Sequence, residues 1–222
     1  MQIIKKYNYA ELTRQDGDAR LYLTPDGESL PSVTTVLNKT KDKAFLKKWR
    51  ARVGEAAAEK IIKDSGQIGT ALHLYIERLV NGEQYKDLTK IGIQAEKMAK
   101  KIVEEAFKDI TEIWGSEVHL YYPGKYAGTT DMIGVYKGRP TIIDFKQTNR
   151  PKKREWIQDY LMQLAAYAQA HNQLFNTEID QGVILMCSRD FTFQRFELLG
   201  ENFTRATDAF MKKLDLYNKT II

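Results

Sequence analysis

The sequence predicts an α/β fold, with a central mixed β-sheet flanked by helices and preceded by an N-terminal β-hairpin and a helical region. Three observations predict it. Residues 7–24 alternate apolar and polar side chains around the turn Gln15-Asp16-Gly17-Asp18, as a hairpin does. Residues 32–112 carry apolar side chains at helical spacing. Beyond residue 112, short alternating runs interleave with helical stretches, the order of a layered α/β core.

The elements follow in turn. Tyr7 to Thr13 and Ala19 to Leu23 are the hairpin strands, and Pro25-Asp26-Gly27-Glu28 is a second turn. Ser32 suits the N-cap of a short helix over 33–37. Further helices are expected near 43–52, 54–64, 67–80 and 89–110. The last carries Ile91, Ala95, Met98, Ala99, Ile102, Val103 and Ala106 as one apolar stripe. Strands are expected at 117–122, 128–136 and 141–145, the third bearing the buried-type pair Ile142-Ile143. A helix over 153–172, strands near 181–187 and 191–198, and a helix over 200–218 complete the chain. A length of 222 residues fits one domain. Residues 1–112 would be the hairpin and a helical wall or arch, and 113–222 the core.

Composition narrows the chemistry. The apolar share is 43% and the charged share 28%, with a net charge of +5. That balance suits an ordinary core and is compatible with a polyanionic partner. Cys187 is the one cysteine, which excludes a disulfide within the chain and a cysteine-built zinc or iron–sulfur site. Within Gly182-Val183-Ile184-Leu185-Met186-Cys187 it reads as a small buried strand residue. No apolar run approaches the ~20 residues of a membrane span, and the N-terminal residues lack the apolar core of a signal peptide. A soluble protein of a reducing compartment, the cytoplasm, is the expectation.

The most informative stretch is Gly128-Thr129-Thr130-Asp131 followed by Ile142-Ile143-Asp144-Phe145-Lys146. Asp144 and Lys146 are two apart on a strand, so both point to one face. Asp131 lies on the preceding strand, and the turn Lys137-Gly138-Arg139-Pro140 would fold it back beside Asp144. Two carboxylates and an ammonium then converge. Hard oxygen ligands suit Mg²⁺ or Mn²⁺, and such an ion with a nearby lysine suits phosphodiester hydrolysis. An exposed Asp144–Lys146 ion pair is the bland alternative, since a DxK triplet alone is weak.

Gly128-Thr-Thr-Asp131, Asp144-Phe-Lys146, Gln163-Leu-Ala-Ala-Tyr167 and the upstream Gly69-Thr-Ala-Leu-His73 occur in that spatially sensible set. Together they resemble the RecB-like branch of the PD-(D/E)XK nuclease superfamily, with its upstream histidine, GxxD, (D/E)xK and QxxxY elements. The likeness runs from about Ser32 to Tyr167. Among members, it resembles compact phage exonucleases and mitochondrial genome maintenance exonucleases. The resemblance implies a restriction-endonuclease-like core. It implies His73, Asp131, Asp144 and the Phe145 carbonyl as metal ligands and Lys146 as the catalytic lysine. It also implies that Gln163 and Tyr167 support the site and contact the DNA backbone. The acid of the (D/E)xK element is Asp144, where many members have the longer Glu.

Other residues carry two readings each. His73 and Glu77 are i, i+4 on a helix and share a face, so Glu77 could orient His73 or the two could form a surface pair. Gln163 and Tyr167 are also i, i+4, and either serve the site or pack an amphipathic helix. Glu117 could add a carboxylate, as an equivalent acid does in some relatives, if strand parity turns it inward. After Lys146 the chain reads Gln147-Thr148-Asn149-Arg150-Pro151-Lys152-Lys153-Arg154-Glu155-Trp156. Thr148, Asn149, Arg150, Lys152, Lys153 and Arg154 suit phosphate contact without sequence readout. Trp156 could stack on a base or pack the helix start onto the sheet. A second basic set, Lys39, Lys41, Lys43, Lys47, Lys48, Arg50 and Arg52, lies in the helical region and could guide a single strand.

The function expected is a Mg²⁺- or Mn²⁺-dependent exonuclease acting at DNA ends, with preference for single strands. Its setting would be phage or bacterial DNA recombination, repair or degradation. A structure-specific endonuclease with the same centre, or an inactive DNA-binding module, are the alternatives.

Overall fold

The computed structural model describes residues 2–220. Its main sheet has six strands in the order β1-β5-β6-β7-β8-β9. These are β1 (Gln2–Ile3), β5 (Ile110–Tyr122), β6 (Tyr126–Tyr136), β7 (Arg139–Thr148), β8 (Gly182–Ser188) and β9 (Phe193–Leu198). The sheet is mixed: β1 is parallel to β5 and β7 to β8, and the remaining neighbours are antiparallel. Helices cover both faces, so the α/β architecture expected from the sequence holds.

The two faces are two apolar layers. On one, α3 (Glu55–Val80) and α4 (Lys90–Ala106) bury Leu72, Ile76, Met98 and Ile102 against Ile113, Met132, Ile143 and Phe145. On the other, α1 (Val33–Lys39), α5 (Gln158–Phe175) and α6 (Glu201–Lys219) bury Val36, Leu164 and Phe210 against Tyr126, Ile133, Ile142 and Ile184. Strand parity sorts these sets. Ile142 faces α5, Ile143 faces α3, and the alternation continues through Asp144 and Lys146 on the α5 side. Cys187 is buried on the α3–α4 side, as the sequence suggests.

Local signals hold at several boundaries. Ser32 caps α1, its Oγ accepting from the Thr35 amide at 2.9 Å. A small antiparallel sheet, β2 (Thr13–Gln15), β3 (Leu21–Leu23) and β4 (Ser29–Pro31), uses both expected turns. The hairpin is shorter than its alternation suggests. Tyr7 and Tyr9 lie outside any strand and pack on His171 and Phe175, with Tyr7 also against Trp114. The Leu12 amide donates to His119 Nδ1 at 3.1 Å. Their period-two pattern reflects docking onto the core rather than pairing.

Two further differences matter. The helices expected at 54–64 and 67–80 are one 26-residue helix, α3. Asp64-Ser65-Gly66-Gln67 reads as a break, yet the helix runs on because the apolar stripe from Ile68 to Val80 is buried on the sheet. Strand β5 begins at Ile110 rather than 117, with register shifts between Ile110 and Glu112 and between Ile113 and Gly115. The last residues of the helix expected over 89–110 are a 3-10 turn, Phe107–Asp109, leading into β5.

Candidate active site

The site forms where two strands part. The β6–β7 ladder pairs Tyr136 with Arg139 and continues to Met132 with Ile143, where it ends. One residue further, the Asp131 carboxylate takes over from the backbone: its Oδ2 accepts from the Phe145 amide at 2.7 Å. Beyond this point β7 continues beside β8 as far as Thr148 and Ser188. Asp144 and Lys146 therefore stand in a notch open between β6 and β7.

The notch collects the charged residues that the motifs marked. Lys146 Nζ donates to Asp144 Oδ1 at 2.6 Å. Nδ1 of His73, from the middle of α3, lies 3.4 Å from Asp131 Oδ2 and 3.7 Å from Glu117 Oε1. Glu117 falls between Ser116, paired with Met132, and Val118, paired with Thr130, so it sits across from Asp131. Its φ of 52° is left-handed, an uncommon conformation for a residue with a Cβ and one often held at functional sites. His73, Glu117 and Asp131 offer ligand atoms within 4.8 Å of one another. Glu77 is not in this group.

The electrostatics follow from crowding charge into a buried notch. Burial alone would push Asp131 up, but His73, Lys146 and the Phe145 amide together hold its carboxyl below the ordinary range. Burial raises Asp144 to about 6, with Lys146 opposing and Asp131 adding to the rise. Burial would lower His73, yet Asp131 and Glu117 raise it to about 10. Lys146 is likewise held above its usual value against its own burial, by Asp144 first and then Asp131. Oδ2 of Asp144 is buried with no hydrogen-bond partner among the described residues. An unpartnered carboxylate oxygen in the interior is costly. With Asp131 and the His73 imidazole as neighbours, it fits a divalent cation, whose preferred donors are hard oxygens and neutral imidazole.

Gln163 and Tyr167, both buried on α5, complete the wall. The Tyr167 ring lies against Gly128, where an added Cβ would stand 2.8 Å from its Oη and 2.9 Å from its Cε1. The glycine of the GxxD element is thus the space into which the tyrosine of the QxxxY element fits. Burial holds the Tyr167 hydroxyl far above its ordinary value, and Tyr22, Asp131 and Asp144 add to this while a Gln163 hydrogen bond opposes it.

The basic loop is placed less uniformly. Asn149 and Arg150 are exposed at the end of β7, and Lys153 is exposed beyond them. Thr148 is buried, its hydroxyl donating to the Arg150 carbonyl at 3.0 Å, which shapes the loop. Arg154 donates to the Glu197 carbonyl at 2.9 Å, and the Lys152 backbone exchanges two hydrogen bonds with the Gln194 amide at 2.7 and 2.9 Å. Asn149 meets Ser65 of α3, whose Oγ donates to Asn149 Oδ1 at 3.4 Å, and Arg189 donates to the same Ser65 Oγ at 3.2 Å. One neighbour of the site escaped the sequence reading. The Tyr160 ring lies beneath Lys146, its centroid 5.1 Å from Nζ. Its signal was available, since Tyr160, Gln163 and Tyr167 repeat at i, i+3, i+7 along one face of α5.

The chain is similar to mitochondrial genome maintenance exonuclease 1. The human protein is 25% identical over 179 residues, covering 72% of this chain and 50% of the relative. The mouse protein is 23% identical over 173 residues, covering 73% and 51%. The chain thus spans about half the length of the curated relatives it matches. No family model matches. Among solved structures, a protein of Eubacterium rectale provisionally assigned as an exonuclease aligns with a TM-score of 0.49 at 15% identity, covering 68% of this chain and 66% of that one. An alkaline exonuclease from Laribacter hongkongensis aligns with a TM-score of 0.30 at 12% identity, covering 66% and 78%. No helix among the described residues is long and apolar enough to cross a membrane.

Proposed function

We propose that this chain is a metal-dependent exonuclease that hydrolyses phosphodiester bonds from DNA ends, with a preference for single strands. The observation that carries the reading is the convergence in one notch of His73, Glu117 and Asp131, with Asp144 and its unpartnered oxygen beside Lys146. The likeness to proteins named as exonucleases supports it. In this reading residues 1–222 act as one nuclease domain in the cytoplasm, in DNA recombination, repair or degradation, of a phage or a bacterium.

The ligand set would be His73, Glu117, Asp131 and Asp144 with the Phe145 carbonyl, and the ion Mg²⁺ or Mn²⁺. When bound, it would supply Lewis-acid polarisation of the phosphate and a water of lowered pKa. The protein's own groups do the rest. Asp131 is fixed by the Phe145 amide, so its second oxygen is presented in one orientation. Asp144 holds the Lys146 ammonium, and Tyr160 supports it from below. That ammonium can orient the attacking water or stabilise charge building on the phosphate oxygens. Gln163 and Tyr167 back the carboxylates, while Asn149, Arg150 and Lys153 lie exposed where a phosphate chain leaving the notch would pass. Thr148, Lys152 and Arg154 shape that loop.

The test is release of nucleotides from end-labelled single strands in Mg²⁺, in Mn²⁺ and in EDTA. Hydrolysis with either ion and none in EDTA is expected, and 5′- and 3′-labelled strands would give its direction. Equal hydrolysis in EDTA, or none with either ion, contradicts the reading.

A further inference from the structure

We propose that Trp156 is a stacking platform for an unpaired base beside the candidate centre; this rests on the nuclease reading above and names a residue that would select its substrate strand. The sequence left two roles open for this indole, packing or stacking. Packing falls to its neighbour. Ile157 is 1% exposed, whereas Trp156 is 63% exposed. The indole is open to solvent well beyond Phe191, which is 37% exposed, and so has a face free to stack.

The exposure is fixed, not a consequence of a loose loop. The Lys152 backbone is held by both amide atoms of Gln194, and Arg154 is held by the Glu197 carbonyl. The Trp156 amide donates to the Lys153 carbonyl at 3.0 Å, and Gln158 donates to the Arg154 carbonyl at 2.7 Å. The ring is therefore presented by a rigid turn, so little entropy is lost when something stacks on it.

Its surroundings choose the partner. Lys153 Nζ lies 5.7 Å from the ring centroid, and Arg150 is exposed on the same loop. Lys41, from the basic stretch that follows α1, reaches the start of α5 to pair with Asp159 at 2.7 Å. A flat ring among cations fits a polyanion that also has flat faces, which is a nucleic-acid strand with unpaired bases. A duplex hides those faces in its own stack. Trp156 also stands four residues before Tyr160, whose ring lies under Lys146. Trp156 ends the 3-10 turn Arg154–Trp156 and Tyr160 lies in the first turn of α5, so a strand with one base on the indole can pass its phosphates toward the notch.

Binding in EDTA separates this from hydrolysis. The full chain would be titrated with a 15-nucleotide oligo-dT, an abasic oligomer of the same length and a blunt duplex, following tryptophan emission and affinity. Oligo-dT is expected to quench the wild type, and the Trp156→Phe variant, with its stacking face kept, should bind with near wild-type affinity while losing that quench. Trp156→Ala should weaken oligo-dT binding by about 5- to 150-fold, leave abasic and duplex binding unchanged, and leave the melting temperature unchanged because the ring is exposed. Failure of the wild type to bind oligo-dT, equal affinity of Trp156→Ala and wild type, or an equal loss on the abasic oligomer would each overturn the proposal. If Trp156-dependent binding occurs without hydrolysis in Mg²⁺, the nuclease reading fails and the platform stands. Hydrolysis and binding both indifferent to Trp156 give the converse.

Discussion

Gly128→Ala is the sharpest test of how the motifs lock together. An alanine Cβ there would stand 2.8 Å from Tyr167 Oη, 2.9 Å from Cε1 and 3.3 Å from Cζ. Tyr167 is buried and cannot swing into solvent. Overpacking of this kind costs about 1–3 kcal/mol, which for a chain of this length lowers the melting temperature by about 2–12 °C. The assay is a double-mutant cycle by denaturant unfolding, with Gly128→Ala made in the wild type and in a Tyr167→Leu background. Leucine removes the atoms that clash. The alanine should then cost less than about 0.5 kcal/mol, leaving a coupling of about 0.5–3 kcal/mol. A wild-type-like Gly128→Ala protein, or the same cost in both backgrounds, would refute the claim that this glycine exists to seat that ring.

Other consequences follow from the notch and the sheet. His73 is raised to about 10 by Asp131 and Glu117, so between pH 7 and 9 a divalent ion must displace its proton. Calorimetric Mn²⁺ affinity should rise about tenfold per pH unit over that range, and a flat profile would contradict His73 as a ligand. In the metal-free protein the sign is opposite. A histidine raised in the folded state stabilises fully below its unfolded value of about 6.5, so unfolding free energy should fall as pH rises from there towards 10. Lys146→Ala should lower cleavage by at least about 10²–10³-fold while oligonucleotide binding in EDTA persists; loss of binding instead would make Lys146 an anchor rather than a catalytic group. Gly134→Ala would put a Cβ 2.1 Å from the Glu112 carbonyl oxygen. Backbone cannot yield as a side chain can, so a cost of about 3 kcal/mol or more is expected, and a thermal melt like that of the wild type would contradict the close β5–β6 approach.

Much of this was legible from residue order. Period-two parity placed Asp144 and Lys146 on one face, and both lie in the notch. The turn at Lys137 and Gly138 returned β7 along β6, as expected. The helical spacing of Gln163 and Tyr167 put both on the inner side of α5. What escaped has physical causes. Glu117 could not be placed by counting along β5, because two register shifts precede it and its own backbone is left-handed. The parting of β6 and β7 is a tertiary event: Asp131 replaces the ladder with a side-chain bond, and no local pattern announces that. Polar residues suggested a break in α3 that burial overrides. The run of cations after Lys146 looked uniform, yet Arg154 is tied to β9 and Lys153 is free of it. Alternation cannot tell a cation that faces a ligand from one that braces a loop. Strand β1, two residues long, carries too little pattern to be seen.

The measurement that bears most directly on the central claim compares linear single-stranded DNA with covalently closed circles of the same sequence in Mg²⁺, for the wild type and Lys146→Ala. Degradation of the linear strand alone, abolished by the substitution, is the result predicted. Degradation that survives Lys146→Ala would remove the notch from the chemistry, and equal cutting of circles would contradict action from DNA ends.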